Sequence, residues 1–96
     1  MARRRYLISY DIADDKRRTS VFKQLEDYGD HVQFSVFICE LNRQEHIELV
    51  AQLRAAIHNR EDQVLILDMG PAEQPANRIL ESLGRVYEPP SRILVV

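Results

Sequence analysis

The chain has few cysteines, glycines and aromatic residues, and it has no long apolar run. Cys39 is the one cysteine among 96 residues, which excludes an internal disulfide and a thiolate metal site. The longest apolar run is far shorter than a membrane span, and residues 1–5 lack the apolar stretch of a signal peptide. We therefore expect a cytoplasmic protein with no membrane partner.

A strong excess of positive charge is also missing, since the formal net charge at pH 7 is −2. Nucleic-acid-binding domains that act alone usually carry a basic excess, so the composition argues against a strong one. The charge is unevenly distributed, however. Six of the 13 lysines and arginines lie within the first 18 residues: Arg3, Arg4, Arg5, Lys16, Arg17 and Arg18. This local basic face suits weak or partner-assisted phosphate contact, or a simple solvated surface.

The first 29 residues have the pattern of a strand followed by a helix. An apolar strand runs from about Arg5 to Ile12, and Asp14 is placed to cap the next helix. Gly29 is expected to end that helix in a left-handed conformation. Apolar residues recur at helical spacing in between: Val21, Phe22, Leu25 and Tyr28.

The segment from His31 to Leu41 is predicted to be extended chain. Every second residue in its first part is apolar: Val32, Phe34, Val36 and Ile38. This pattern fits either one bent strand or two short strands joined by a tight turn or bulge near residues 33–35.

A second helix and another apolar strand follow. Asn42 and Glu45 have the spacing of a capping box, and the helix is expected to end near Asn59. Its predicted apolar stripe is Ile47, Val50, Leu53 and Ile57. Residues 63–69 are a nearly continuous apolar run, typical of an interior strand, and Gly70-Pro71 is expected to end it.

The order of these elements predicts an α+β fold of the ferredoxin-like βαββαβ type, with two helices on one face of an antiparallel sheet. We expect one domain over residues 1–96, with its core in residues 1–69. Residues 70–91 hold all four prolines and are predicted to be a linker with a short helix around residues 77–83. Residues 92–96 are predicted to form an additional C-terminal strand, exchanged with a second protomer in a homodimer.

Asp11 is the candidate catalytic residue, because it ends an apolar strand just before the run Asp14-Asp15-Lys16-Arg17-Arg18. An acid with cations one turn further on can hold a divalent metal and a phosphate. One carboxylate alone is a poor magnesium site, so a second Asp11 across a two-fold axis would be needed. Alternatively, Asp11 only accepts amide hydrogen bonds at the following turn. For Arg17 and Arg18, phosphate contact and solvated charge are equally good interpretations.

The chain resembles the CRISPR-associated protein 2 family over its whole length. The residues that carry the likeness are Tyr10-Asp11-Ile12, Asp14-Asp15-Lys16-Arg17-Arg18, Tyr28-Gly29 and Val32-Gln33-Phe34-Ser35-Val36-Phe37. The resemblance implies a prokaryotic homodimer that acts in spacer acquisition and contacts the CRISPR integrase. It also implies a Mg²⁺-dependent endonuclease acting on RNA or double-stranded DNA, with Asp11 as the metal-binding acid.

The resemblance further implies roles for three residues that match family positions linked to nuclease activity: Arg17, Ser35 and Phe37. With Arg18 they form the candidate nucleic-acid-binding set. One departure is visible, because many relatives carry Glu directly after the Ser-Val-Phe segment, where this chain has Ile38 and places Glu40 two residues later. From residue type alone, Ser35 is more often structural in a strand, and Phe37 is an ordinary core or interface aromatic unless a dimer cleft exposes it.

Two other functions compete with a metal-dependent nuclease. One is a structural adaptor that binds duplex DNA and the integrase without chemistry of its own. The other is a toxin-like ribonuclease of the VapD kind, which shares the expected fold. Loss of the Asp11 carboxylate would separate the nuclease from the adaptor, since only the nuclease needs it.

Overall fold

The chain folds into one antiparallel sheet with two helices packed on one of its faces. A computed structural model describes residues 2–87 of the chain. The strands are β1 (Arg4–Asp11), β2 (Gly29–Gln33), β3 (Val36–Leu41) and β4 (Gln63–Pro71). The helices are α1 (Asp15–Glu26) and α2 (Arg43–Ala56), and a 3₁₀ turn lies at Ala76–Arg78.

The strands lie in the order β2-β3-β1-β4, and every neighbouring pair is antiparallel. In the middle of the sheet, Ile8 of β1 lies opposite Phe37 of β3 on one side and Ile66 of β4 on the other. Each helix links two strands that have a third strand between them, which is the split β-α-β arrangement. The ferredoxin-like α+β prediction is confirmed.

The core lies between the sheet and the helices. Alternate residues of β1 point into it, namely Tyr6, Ile8 and Tyr10, because side chains on a strand alternate between faces. The helices contribute Val21, Leu25, Leu49 and Leu53. The predicted stripe on α2 was therefore wrong in part: Leu49 is fully buried, whereas Ile47 is 58% exposed. Leu49 and Leu53, one turn apart, define the inward face.

Both predicted helix starts are confirmed by their hydrogen bonds. The Asp14 carboxylate accepts from the Arg17 amide at 3.0 Å and caps α1. At α2, Asn42 Oδ1 accepts from the Glu45 amide, and Glu45 Oε1 accepts in return from the Asn42 amide. This capping box satisfies two amides that have no partner inside the helix.

Gly29 does not end α1 in a left-handed conformation, contrary to the prediction. The helix ends at Glu26, and Gly29 begins β2. A Cβ atom on Gly29 would lie 2.4 Å from Cys39 Sγ and 2.5 Å from the Ile38 carbonyl oxygen. Glycine is needed here because β2 passes very close to β3. Cys39 is a small buried residue with no exposed surface.

Residues 31–41 form two strands rather than one bent strand. A two-residue turn at residues 34–35 joins β2 to β3, and the pairing shifts by one residue between His31 and Gln33. The second of the two alternatives is therefore confirmed.

Within residues 2–87, the strand predicted to be interior at residues 63–69 lies at the edge of the sheet. β4 continues to Pro71, and among the described residues it pairs with β1. Leu65 and Leu67 are 57% and 59% exposed, and they lie opposite Ser9 and Leu7 on the face away from the helices. Residues 2–87 therefore leave these two leucines largely uncovered.

The segment after β4 folds back onto the sheet. The Arg5 guanidinium donates to the carbonyl oxygens of Ala72 and Gln74. The predicted helix over 77–83 is replaced by the shorter 3₁₀ turn at Ala76–Arg78, and Gly84 then adopts a φ of +82°. The predicted strand at 92–96 lies outside the described residues. Within residues 2–87, no helix has the length and apolar character needed to cross a bilayer.

Candidate functional site at the end of the first strand

Asp11 is the last residue of β1 and is exposed to solvent. It lies opposite Gln63, the first residue of β4. The alternation of β1 places Asp11 on the same face as Leu7 and Ser9, the face that the helices leave uncovered. Within residues 2–87 its side chain takes part in no hydrogen bond or ion pair. The alternative in which it caps the following turn is therefore not supported.

Ser35 is held at the same end of the sheet by its backbone. Its carbonyl oxygen accepts from the Tyr10 amide at 3.1 Å, one residue before Asp11. The Ser35 side chain is half-buried in the turn between β2 and β3. The turn thus forms one wall beside the exposed carboxylate, and Ser35 is close enough to the end of β1 to belong to the site.

Phe37 lies on the other face of the sheet and has no exposed surface. Its ring centroid is 4.8 Å from that of His31, 5.5 Å from that of Phe22 and 6.4 Å from that of Tyr10. This aromatic cluster fills the core beneath α1. The placement agrees with the core interpretation and gives no support to contact between Phe37 and nucleic acid.

The Arg17 side chain is directed into the protein. Its Nε donates to Asp62 Oδ2 at 2.8 Å, and its Nη2 donates to Glu61 Oε1 at 3.1 Å. The bonds to Asp62 raise the pKa of Arg17 further above its ordinary value. Arg17 therefore neutralises two acids of the protein, and phosphate contact would require it to exchange partners.

Arg18 is also engaged. Its Nη1 donates to the Ile12 carbonyl oxygen at 2.9 Å, and its Nη2 forms an ion pair with Asp15. The bond to Ile12 fastens α1 to the chain just beyond Asp11. Lys16, exposed on the same turn of helix, has no ion pair within residues 2–87.

Asp62 is a residue of this region that the sequence did not single out. Its side chain has no exposed surface and accepts hydrogen bonds from the amides of Ala13 and His58 as well as from Arg17. The Arg17 guanidinium, followed by the two amides, holds the pKa of the Asp62 carboxyl well below its usual range. Only its position directly before the apolar run of β4 hinted at a place near the end of β1.

The other end of β1 holds the remaining basic residues, and all of them are paired. Arg3 forms an ion pair with Glu45, Arg4 with Asp68 at 2.9 Å, and Arg5 with Glu40 at 3.5 Å. Of the six basic residues near the N-terminus, five are thus in ion pairs. The local basic face expected from the sequence is largely neutralised by the fold.

The Asp11 end is acidic in sum. Five carboxylates meet four cations there: Asp11, Asp14, Asp15, Glu61 and Asp62 against Lys16, Arg17, Arg18 and Arg60. Asp11 is the acid among them that is exposed and unpaired within residues 2–87. This balance favours a bound cation over a bare phosphate at Asp11.

One protomer does not form a complete metal site. Within residues 2–87, no three side chains of His, Cys, Asp or Glu are grouped so that they could hold an ion. Magnesium commonly takes one or two protein carboxylates together with waters and phosphate oxygens. A single exposed Asp11 fits that chemistry only when a second carboxylate or a phosphate joins it.

The chain matches the sequence model of a known family over residues 4–75, which include Asp11 at the end of β1 and Ser35 in the turn between β2 and β3. The family is described as CRISPR associated protein Cas2. The chain belongs to the Cas2 family. The resemblance inferred from the residues around Asp11 is therefore confirmed.

Individual Cas2 relatives cover most of the chain. A protein of Rhodospirillum rubrum named CRISPR-associated endoribonuclease Cas2 1 is 45% identical over 86% of this chain and 80% of its own length. A CRISPR-associated endoribonuclease Cas2 of Geobacter sulfurreducens is 37% identical over 95% of both chains. The crystal structure of a hypothetical protein from Thermus thermophilus superposes with a TM-score of 0.75 at 32% identity, over 92% of this chain and 99% of that one.

Proposed function

We propose that this Cas2-family chain is a metal-dependent endonuclease of CRISPR adaptation that works as a homodimer. The observation that carries the proposal is the position of Asp11, which is exposed and has no hydrogen-bond or ion-pair partner within residues 2–87. It lies at the rim of the sheet face on which Leu65 and Leu67 are exposed within residues 2–87, here called the bare face. The relatives from R. rubrum and G. sulfurreducens are named endoribonucleases, so RNA is the first substrate to test. Double-stranded DNA is the second.

The bare face supports the homodimer. Leu65 and Leu67 expose more than half of their surface, beside Leu7 and Ser9 of β1. Adjacent exposed apolar side chains of this kind mark interaction surfaces. In a two-fold dimer the same patch faces itself, so two bare sheet faces would pack together. Because Asp11 lies on that face, packing would bring two Asp11 residues towards one axis.

The proposed chemistry needs Mg²⁺, which when bound polarises a phosphate and lowers the pKa of a coordinated water. The chain's own contribution is the pair of Asp11 carboxylates, which would hold the ion together with phosphate oxygens. Lys16, an exposed cation near Asp11 that is in no ion pair within residues 2–87, is the residue proposed to meet the phosphate. Arg17 and Arg18 keep α1 fixed against the turn after Asp11.

The test is Asp11→Asn, compared with Asp14→Asn. Asparagine caps a helix as well as aspartate does, so Asp14→Asn is a matched control that removes a nearby charge without unfolding α1. We expect Asp11→Asn to lower Mg²⁺-dependent cleavage of single-stranded RNA by about 100-fold or more, with the dimer intact. Equal cleavage by Asp11→Asn and wild type would contradict the proposal.

A second candidate is favoured by a different observation, the pairing of Arg17 and Arg18 within the protein. If neither arginine is available for phosphate, the dimer could serve as an adaptor that bridges duplex DNA and the CRISPR integrase without chemistry. In that case Asp11→Asn would leave spacer integration at the wild-type level. Measuring RNA cleavage and spacer integration with the same variant separates the two functions.

A further inference from the structure

We propose that Asp62 is a positioning residue that sets the orientation of Asp11. The inference rests on the proposed role of Asp11, and it assigns to Asp62 no contact with metal or nucleic acid. Its side chain has no exposed surface, so it cannot reach either of them. It acts instead through the backbone on either side of Asp11.

The Asp62 carboxylate gathers four hydrogen bonds from three parts of the chain. Its Oδ1 accepts from the Ala13 amide at 3.0 Å and from Arg17 Nη2 at 3.3 Å. Its Oδ2 accepts from the His58 amide and from Arg17 Nε, both at 2.8 Å. A buried carboxylate with this number of donors is fixed in place, because loss of any bond leaves a polar group unpaired.

Asp62 is connected to the backbone around Asp11 in two ways. Asp62 directly precedes Gln63, which pairs with Asp11 across the sheet. Ala13, whose amide is bound to Asp62, follows Asp11 by two residues. The backbone at Asp11 is therefore held by the strand pair on one side and by Asp62 on the other.

Arg17 closes the arrangement from α1. It binds the same carboxylate as the Ala13 amide does. Asp62 therefore connects the start of α1 and the turn after β1 to the start of β4. This connection is the anchor at the Asp11 end. The Asp11 side chain itself has no partner within residues 2–87, so the anchor acts on the backbone from which its carboxylate extends. Groups that orient a metal ligand without touching the metal commonly change metal affinity by about 10- to 100-fold when removed.

Replacement of Asp62 by Asn would keep the shape of the side chain but not its set of accepted hydrogen bonds. Asparagine has one acceptor oxygen, and its own N–H groups would face N–H donors of the protein. We expect the turn over residues 12–14 to relax and Asp11 to sample several orientations. The fold as a whole is expected to persist, since the core residues of β1 are not involved.

Asp68→Asn is the matched control. Asp68 lies on β4, the strand that directly follows Asp62, and it is at the other end of β1. It accepts from Arg4 Nε at 2.9 Å and from the Gly70 amide at 2.8 Å. Its replacement also removes a carboxylate, an arginine contact and an amide contact. It differs from Asp62→Asn in leaving the turn after Asp11 untouched.

The experiment compares the ¹³C signal of the Asp11 carboxyl in wild type, Asp62→Asn and Asp68→Asn, followed by titration with Mn²⁺. We expect the signal to shift or broaden in Asp62→Asn alone, and the Mn²⁺ concentration that broadens it to rise by about 10- to 100-fold. If Asp62→Asn does not fold, Arg17→Lys takes its place, because it keeps the charge but loses the two-pronged contact with Asp62.

If the Asp11 carboxyl signal stays at its wild-type position in the folded variant, the inference is overturned. This holds whether or not Mn²⁺ broadens the signal. A wild-type Asp11 signal that Mn²⁺ leaves unchanged would instead remove the proposed metal function. In that event the position of the Asp11 signal in Asp62→Asn still decides the inference about positioning. The two failures are therefore distinguishable.

Discussion

The two ends of β1 are both rich in charge, yet they are organised differently. At the Arg3–Arg5 end each arginine has an acidic partner, and the Arg4–Asp68 pair is about half exposed on both sides. At the Asp11 end the central pair is buried, with no exposed surface on Asp62. That end also has one exposed carboxylate, Asp11, that no group within residues 2–87 neutralises.

This difference shows why charge density alone does not locate a site. The ion pairs of Arg3 and Arg4 are largely exposed and add little stability, whereas Arg5 is buried by the segment after β4. All three arginines are paired with acids, so this end offers no unmet charge to a ligand. The Asp11 end combines a rigid buried pair with an unpaired acid, which is how proteins commonly build ligand sites. The comparison predicts that changes at the Asp11 end alter function and that changes at the Arg3–Arg5 end do not.

The largest expected effect comes from placing a charge on the bare face beside Asp11, which is the proposed dimer interface. Leu65→Asp places two like charges against each other in a two-fold dimer, and we expect the dimer to weaken by about 100-fold or more. Cleavage should fall with it, since one protomer supplies one Asp11. Analytical ultracentrifugation over a range of concentrations measures the first effect, and RNA cleavage measures the second.

Ile47→Asp is the control for the charge itself. Ile47 is 58% exposed on α2, close to the 57% of Leu65, but it lies on the helical side of the sheet. If Ile47→Asp weakened the dimer equally, the bare face would not be the interface. The proposal that two Asp11 residues share one metal site would then be contradicted as well.

The next effect is on stability and compares Asp62, which directly precedes β4, with Asp68 of β4. Asp62→Asn should lower Tm several times more than Asp68→Asn, because Asp62 is fully buried and its partner Arg17 mostly so, whereas Arg4 and Asp68 are both about half exposed. Thermal unfolding followed by circular dichroism at pH 7 measures both variants. A smaller drop for Asp62→Asn than for Asp68→Asn would show that the buried pair is not the anchor of this end.

The same two acids predict how stability depends on pH. Arg17 lowers the pKa of Asp62, and Arg4 lowers that of Asp68, while the unfolded chain titrates near its usual value of about 4. The unfolded state therefore takes up protons first as the pH falls. The stabilisation is fully present above about pH 4 and is lost below it. Urea unfolding between pH 7 and pH 3 should show this loss.

The two variants sharpen that pH prediction. Asp62→Asn should flatten the acid side of the stability curve more than Asp68→Asn does, because the pKa of Asp62 is lowered further. An equally steep curve in Asp62→Asn would mean that other carboxylates dominate acid unfolding. Glu45, whose pKa is lowered first by the Asn42 amide, would then be the next acid to replace.

Local features were predictable from the sequence, because their causes lie within a few residues. Asp14 and the Asn42–Glu45 pair cap helices through bonds that span three residues. The alternation along β1 likewise defined an inward face. Asp11 could be recognised for the same reason, since an acid that follows an apolar strand is visible in the chain itself.

Features that depend on distant partners could not be predicted in this way. Gly29 is required by Cys39, ten residues away on another strand, and not by the end of α1. Asp62 meets Arg17 across 45 residues, so nothing near either residue marks the pair. The apolar run of β4 has the same pattern whether it is covered by its own protomer or by another, and only the fold shows that Leu65 and Leu67 are exposed within residues 2–87.

The smallest expected effect tests which end of β1 meets nucleic acid. Lys16 is exposed and outside the ion pairs at the Asp11 end, whereas Arg4 is paired with Asp68 at the other. Lys16→Gln should weaken binding to a single-stranded RNA uniformly across sequences and reduce the dependence of binding on salt by about one ion. Arg4→Gln should leave both unchanged.

Fluorescence anisotropy at several salt concentrations measures the slope of RNA binding against salt, with Asp11→Asn as the background to prevent cleavage. A reduced slope for Arg4→Gln together with an unchanged slope for Lys16→Gln would place the nucleic acid at the opposite end of the strand from Asp11, and the adaptor function would then be favoured over the nuclease.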